Sequence, residues 1–279
     1  MSPALLLAVA LTAAAAPLPP AAARASGLPG EAVELRAADG WALHAVWRKA
    51  AAGKTTVVLL HGAGQRKEDW LPFVRALVRD GEGYMAVDLR GHGESRVSPS
   101  GEVLSAKKLR AQNIAKGGAN DYEDMVRDAE AAVGYLGERG VAEETIGVAG
   151  AEAGGSVAVK YAAVHPKVPF VVVLSPGLAW QEIPLVNAVR HFKGRATPIL
   201  MVHSDADKRS SKETPLLFAF AKNSVGERNA ALLVVPDERG TRMFLKNKDL
   251  AARVLAWIAD PRALEAPAVS TPAATGAAD

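Results

Sequence analysis

The stretch Thr145-Ile-Gly-Val-Ala-Gly-Ala-Glu-Ala-Gly-Gly-Ser-Val-Ala158 constrains this chain more than any other. Residues 146–149 read as a short apolar strand, and residues 157–164 as a helix of small side chains. Between them the chain turns on Gly150, Gly154 and Gly155. Glycines two before and two after a central residue mark a sharp strand-to-helix turn, where strand and helix pass too closely for larger neighbours. The residue at the centre of that turn is Glu152.

The rest of the chain supplies a sheet for this turn to sit on. Residues 32–36 and 41–49 flank Asp39-Gly40, a hairpin signal. Residues 55–60 form a continuous apolar run suited to a strand covered on both faces, ending in His61-Gly62-Ala63-Gly64. A helix is predicted over 68–79 and a strand over 84–88, followed by a polar segment over 96–120 with room for one short helix. Asp121 is placed to cap a helix over 122–138. Further strands are expected at 168–174, 198–203 and 230–235, and helices at 182–192, 212–222 and 245–259. A hairpin followed by alternating strands and helices predicts one α/β domain, with about eight strands, a mostly parallel sheet and helices on both faces.

The two ends differ from this pattern. Residues 4–16 are apolar and Ala23-Arg24-Ala25 offers a small-x-small cleavage site, so residues 1–25 are expected to be an export signal, leading to the periplasm or the medium. Residues 266–279 are rich in Ala, Pro and Thr and are expected to be a disordered tail, leaving 26–265 as the domain. The chain has 33 basic and 30 acidic residues, well mixed, which argues against a nucleic-acid footprint. It has no cysteine, which excludes disulfides, a thiol nucleophile and thiolate metal sites. No His/Asp/Glu grouping has metal-ligand spacing and no glycine loop for phosphates precedes Lys-Ser/Thr, so neither a metal nor a cofactor is expected. The expected partner is a small molecule.

Several motifs together resemble the α/β-hydrolase superfamily. His61-Gly62-Ala63-Gly64 is similar to the loop that helps build the family's oxyanion hole. Asp88-Leu-Arg-Gly-His-Gly-Glu-Ser95 resembles its D-x-R-G-x-G-x-S signature. Gly150-x-Glu152-x-Gly154 sits where the G-x-S-x-G nucleophile elbow belongs. Asp207, after the strand over 198–203, matches the position of the triad acid, with Asp205 as a neighbour that could be confused with it. Arg239, before Gly240-Thr241, stands where the family keeps its histidine. The resemblance implies an α/β-hydrolase fold with a minimal cap, and backbone oxyanion donors at Ala63 and Ala153, with His61, Gly62 and His92 around the pocket.

The chemistry that the resemblance implies has lost two of its parts. Acyl transfer needs a hydroxyl nucleophile, a histidine base and a carboxylate that orients the imidazole. Glu152 has no hydroxyl, and Arg239 keeps its proton at any relevant pH. A glutamate facing an arginine would form a charge-assisted pair, so an ion network of Glu152, Arg239 and Asp207 is expected in place of the triad. Three rescues stand against this: Ser156 as a displaced nucleophile, Glu152 as a carboxylate nucleophile, and His61, His92 or His203 as a displaced base. Two functions follow. One is an exported, catalytically degenerate homologue that binds a ligand or partner. The other is an active hydrolase of esters or similar acyl bonds with a rearranged site.

Overall fold

The computed structural model describes residues 27–116, 122–181 and 183–262. The expected leader over 1–25, the tail over 266–279 and the Asp121 cap lie outside the described residues. The sheet is built from β1 (Glu31–Arg36), β2 (Ala42–Arg48), β3 (Thr56–Leu60), β4 (Gly83–Val87), β5 (Ile146–Ala151), β6 (Val171–Leu174), β9 (Ile199–Ser204) and β10 (Ala230–Val235). They lie in the order β1-β2-β4-β3-β5-β6-β9-β10. β2 runs antiparallel to both of its neighbours, and all other pairs are parallel. This is the eight-stranded, mostly parallel α/β-hydrolase sheet expected from the sequence.

Alternation along the strands sends side chains to the two faces in turn. Val58 and Leu60 of β3 join Val148 of β5 and Val157 in a core beneath α3 (Val126–Glu138), α4 (Ala153–Val164) and α6 (Ser210–Val225). Val57 and Leu59 join Ala149, Phe73 and Trp257 in a second core beneath α1 (Leu71–Asp80) and α8 (Leu250–Ala259). Both faces are covered, so the central strands are buried at every position, which is why their sequences read as unbroken apolar runs.

Three local expectations are corrected. The predicted helix over 182–192 is instead a small hairpin, β7 (Ala179–Trp180) with β8 (Ile183–Pro184), followed by a short α5 (Val186–Arg190). Arg209 holds that hairpin: its guanidinium stacks over the Trp180 ring at 4.2 Å and donates to the Ala179 carbonyl. The last predicted helix is split into α7 (Met243–Lys246) and α8, with Asn247 between them in extended conformation. The helix after the turn begins at Ala153, earlier than its apolar pattern suggests, because Glu152 itself is the N-cap residue. The polar segment after β4 carries one helix, α2 (Ala106–Lys116).

Candidate active site

The parallel strands all end at one edge of the sheet, and the candidate residues gather there. His61 follows β3, Asp88 follows β4, Glu152 follows β5, Asp207 lies beyond β9 and Arg239 beyond β10. Such an edge is where open α/β sheets place their sites.

The turn at Glu152 is as tight as its glycines imply. A Cβ on Gly150 would come within 2.2 Å of the Gly154 carbonyl oxygen, and one on Gly154 within 2.3 Å of the Leu60 carbonyl oxygen. Glu152 adopts φ 50° and ψ −115°, a left-handed region that costs a non-glycine residue about 1–3 kcal/mol. The backbone on either side fixes it there. Its N–H donates to the Leu174 carbonyl at 2.9 Å, and its carbonyl accepts from the Ser156 N–H at 3.1 Å. The strained turn is therefore kept although the side chain on it carries no hydroxyl.

Glu152 is 5% exposed, and its carboxylate lies between two loops. Oε2 sits against Gly62, only 2.4 Å from where a Cβ on that glycine would be, so a side chain there would have to push the carboxylate aside. Oε1 lies 3.2 Å from Nε of Arg239. The angle between them does not meet hydrogen-bond geometry, and Oε1 has no hydrogen-bond partner. The contact is an ion pair by distance alone, made by an arginine side chain that is 52% exposed. Burial pushes the Glu152 carboxyl above its ordinary value; Arg239 opposes that shift, and the nearby charge of Asp207 adds to it.

Asp207 is buried while Asp205 is exposed, which separates the two candidates for the acid position. Oδ1 of Asp207 accepts from the N–H groups of Arg209 and Ser210, both at 3.2 Å, at the start of α6. Oδ2 is buried and has no hydrogen-bond partner. The expected three-membered ion network is corrected on this point. Among the described residues, Arg239 pairs with Glu152 and no ion pair joins it to Asp207. Arg239 reaches Glu152 through Nε, and its side chain is half exposed.

The candidate bases are placed as follows. His61 is fully buried; its Nε2 accepts from the Leu89 N–H at 3.0 Å, which leaves the proton on Nδ1 to donate to the Gly62 carbonyl at 2.8 Å. Both nitrogens are used, and burial lowers its proton affinity, so it stays neutral and shapes the loop. His92 donates from Nδ1 to the Arg90 carbonyl at 2.9 Å, and burial first, then the neighbouring His61, pushes it down to about 4. His203 is buried, with Nδ1 3.4 Å from the Ser204 carbonyl. Among the described residues no histidine lies within ion-pair distance of Glu152. Ser156 lies inside α4 with a fully buried hydroxyl, out of reach of any substrate. Ala63 and Ala153 occupy the loop after β3 and the first turn of α4, the two places a backbone oxyanion hole requires. No grouping of three or more potential metal ligands occurs among the described residues.

Two serines position the site without having been singled out in the sequence. Ser175, at φ 48° after β6, accepts from the Gly240 N–H at 2.9 Å through its hydroxyl, and its carbonyl accepts from Trp180 Nε1 at 3.1 Å. Ser204 donates to the Glu238 carbonyl and accepts from the Asp207 N–H at 3.2 Å. Together they fix the loops that carry Asp207 and Arg239. Their sequence context, strand ends followed by polar residues, holds no signal for that task.

A model of the serine aminopeptidase S33 family matches residues 51–229. No curated protein sequence matches the chain. Among solved structures, an esterase of Pyrococcus furiosus is 18% identical with a TM-score of 0.65, covering 84% of this chain and 93% of its own. A dienelactone hydrolase of Anabaena variabilis is 17% identical with a TM-score of 0.60, covering 82% and 96%. An esterase of Exiguobacterium antarcticum is 16% identical with a TM-score of 0.58, covering 82% and 100%. At these identities the likeness is one of fold.

Proposed function

Since the chain belongs to the serine aminopeptidase S33 family of α/β hydrolases, we propose that it is an exported, catalytically degenerate member. In this reading it binds a small-molecule ligand or a partner through the pocket its relatives use for hydrolysis. The observation that carries this reading is the contact between Glu152, on the strained elbow, and Arg239, in the loop after β10. A carboxylate here offers no hydroxyl for an acyl-enzyme of the serine type, and the guanidinium opposite it cannot accept a proton. Among the described residues no histidine is within ion-pair distance of Glu152 to activate water against an ester formed on it.

Export is supported by the apolar leader over 4–16 and the small residues at 23–25. The site is kept in shape by groups that are indifferent to the loss of the triad: the elbow glycines, the Ser175 and Ser204 hydrogen bonds and the buried neutral His61. A site edge held in shape in this way is what a binding function needs.

Incubation with a fluorophosphonate probe and, separately, with nitrophenyl acetate, followed by intact-mass measurement, tests this. The expected result is no covalent adduct. A stoichiometric adduct on any serine, or an acyl group on Glu152, would refute the reading.

A further inference from the structure

Two buried oxygens at the candidate site have no hydrogen-bond donor: Oε1 of Glu152 and Oδ2 of Asp207. The residues are 5% and 7% exposed. Leaving a buried acceptor unsatisfied is costly, and most buried polar atoms are paired. The two carboxylates are also close enough for the charge of Asp207 to raise the proton affinity of Glu152. Asp207 and Arg239 line one cavity of about 520 Å³.

The charges around that cavity are not equivalent. Arg242 is 3.3 Å from Glu238 and half in water, and Lys246 is exposed, so neither needs a ligand. Arg239 is half exposed and meets Glu152 without hydrogen-bond geometry. The pair is half-buried: its carboxylate is out of water, while its arginine is free to leave for solvent. What the buried part of the site lacks is donors, and what stands nearest to supplying them is a loosely held arginine. No cluster of three or more His, Cys, Asp or Glu side chains suited to a metal ion occurs among the described residues, so an organic cation is the better-matched ligand.

We propose that Glu152 and Asp207 form a binding site for a small organic cation, a primary ammonium or a guanidinium group, which displaces the Arg239 side chain and donates to both orphan oxygens. This rests on the reading of the pocket as a binding site, and names the class of ligand it takes. Arg239 then acts as an internal competitor: it neutralises Glu152 when no ligand is present and swings into water when one arrives.

Calorimetric titration of the purified chain with methylguanidinium and butylammonium chloride, at constant ionic strength, tests the proposal; butanol and sodium butyrate serve as controls. One saturable site is expected for the cations and none for the controls. Glu152→Gln and Asp207→Asn, which keep shape and lose charge, should each weaken cation binding about tenfold or more, the loss expected for a charge-assisted hydrogen bond. Arg239→Ala should tighten it, an effect that partial unfolding cannot imitate. Absence of saturable cation binding in both the wild type and Arg239→Ala overturns the proposal, as does butyrate binding alone. Butyrate binding would still leave a ligand-binding pocket standing. Nitrophenyl ester hydrolysis measured on the same samples separates the two claims: wild-type turnover that is lost in Glu152→Ala overturns the binding reading itself.

Discussion

Glu152 carries a conformation and a charge that a free choice of residue would avoid. Its φ of 50° is strained, and its carboxylate is buried against Gly62 with one half-exposed cation for company. Removing the charge should therefore stabilise the fold. Its proton affinity is raised on folding, mainly by burial. The folded state thus binds a proton more readily than the unfolded chain, and stability falls as pH rises through the interval above the ordinary glutamate value. Glu152→Gln is expected to melt at a higher temperature than the wild type at pH 7, with the difference closing by pH 4; calorimetric scans at the two pH values check this. Arg239 contributes less than a buried partner would, since more than half of it is in water. Arg239→Met is expected to cost about 1 kcal/mol or less in urea denaturation, below the cost of breaking a fully buried pair. The residue identities at the triad positions were legible in the sequence through their motifs. The geometry was not: pattern alone does not fix that Arg239 reaches Glu152 and leaves Asp207 unpaired.

The elbow and the loops beside it hold the site as elements. Gly150→Ala and Gly154→Ala would each drive a methyl group into backbone atoms, which cannot move without shifting β3 or α4. Each is expected to cost about 3 kcal/mol or more, beyond ordinary overpacking, and to lower the urea midpoint accordingly. The loop after β4 is held by Asp88, which accepts from the Lys67 N–H at 2.8 Å, Lys67 Nζ at 2.7 Å and the Glu94 N–H at 2.9 Å. These bonds, outweighing the burial that acts against them, hold the Asp88 carboxyl below its ordinary value. Stability from this group is present above the unfolded carboxylate value and is lost as pH falls through the folded one. Asp88→Asn is expected to cost about 3 kcal/mol at pH 7, with the deficit shrinking in acid below pH ~4, as chemical denaturation across pH would show. The strands were legible because burial on both faces leaves unbroken apolar runs. The β7–β8 hairpin was not, because Arg209, just before α6, and Glu213 on α6 hold it from a distance: Glu213 accepts from the Leu178 N–H at 2.7 Å. A helical pattern over 182–192 carries no trace of that tether.

At the scale of the whole molecule, the sheet brings residues from 61 to 239 to one edge of an α/β-hydrolase frame. The fold was legible because hairpin, alternation and ordered motifs all pointed to one topology. What the site takes up was not, since fold does not determine function. The central claim is that the frame survives and only the triad has been lost. It is tested most directly by initial rates of hydrolysis of short nitrophenyl esters and aminoacyl nitroanilides, comparing the wild type with the double variant Glu152→Ser/Arg239→His. The elbow already holds a non-glycine residue at φ 50°, and Asp207 Oδ2 is free to accept from an imidazole. The account predicts a silent wild type and measurable turnover in the double variant. Turnover by the wild type that disappears in Glu152→Ala would contradict it, and would make Glu152 a working catalytic group.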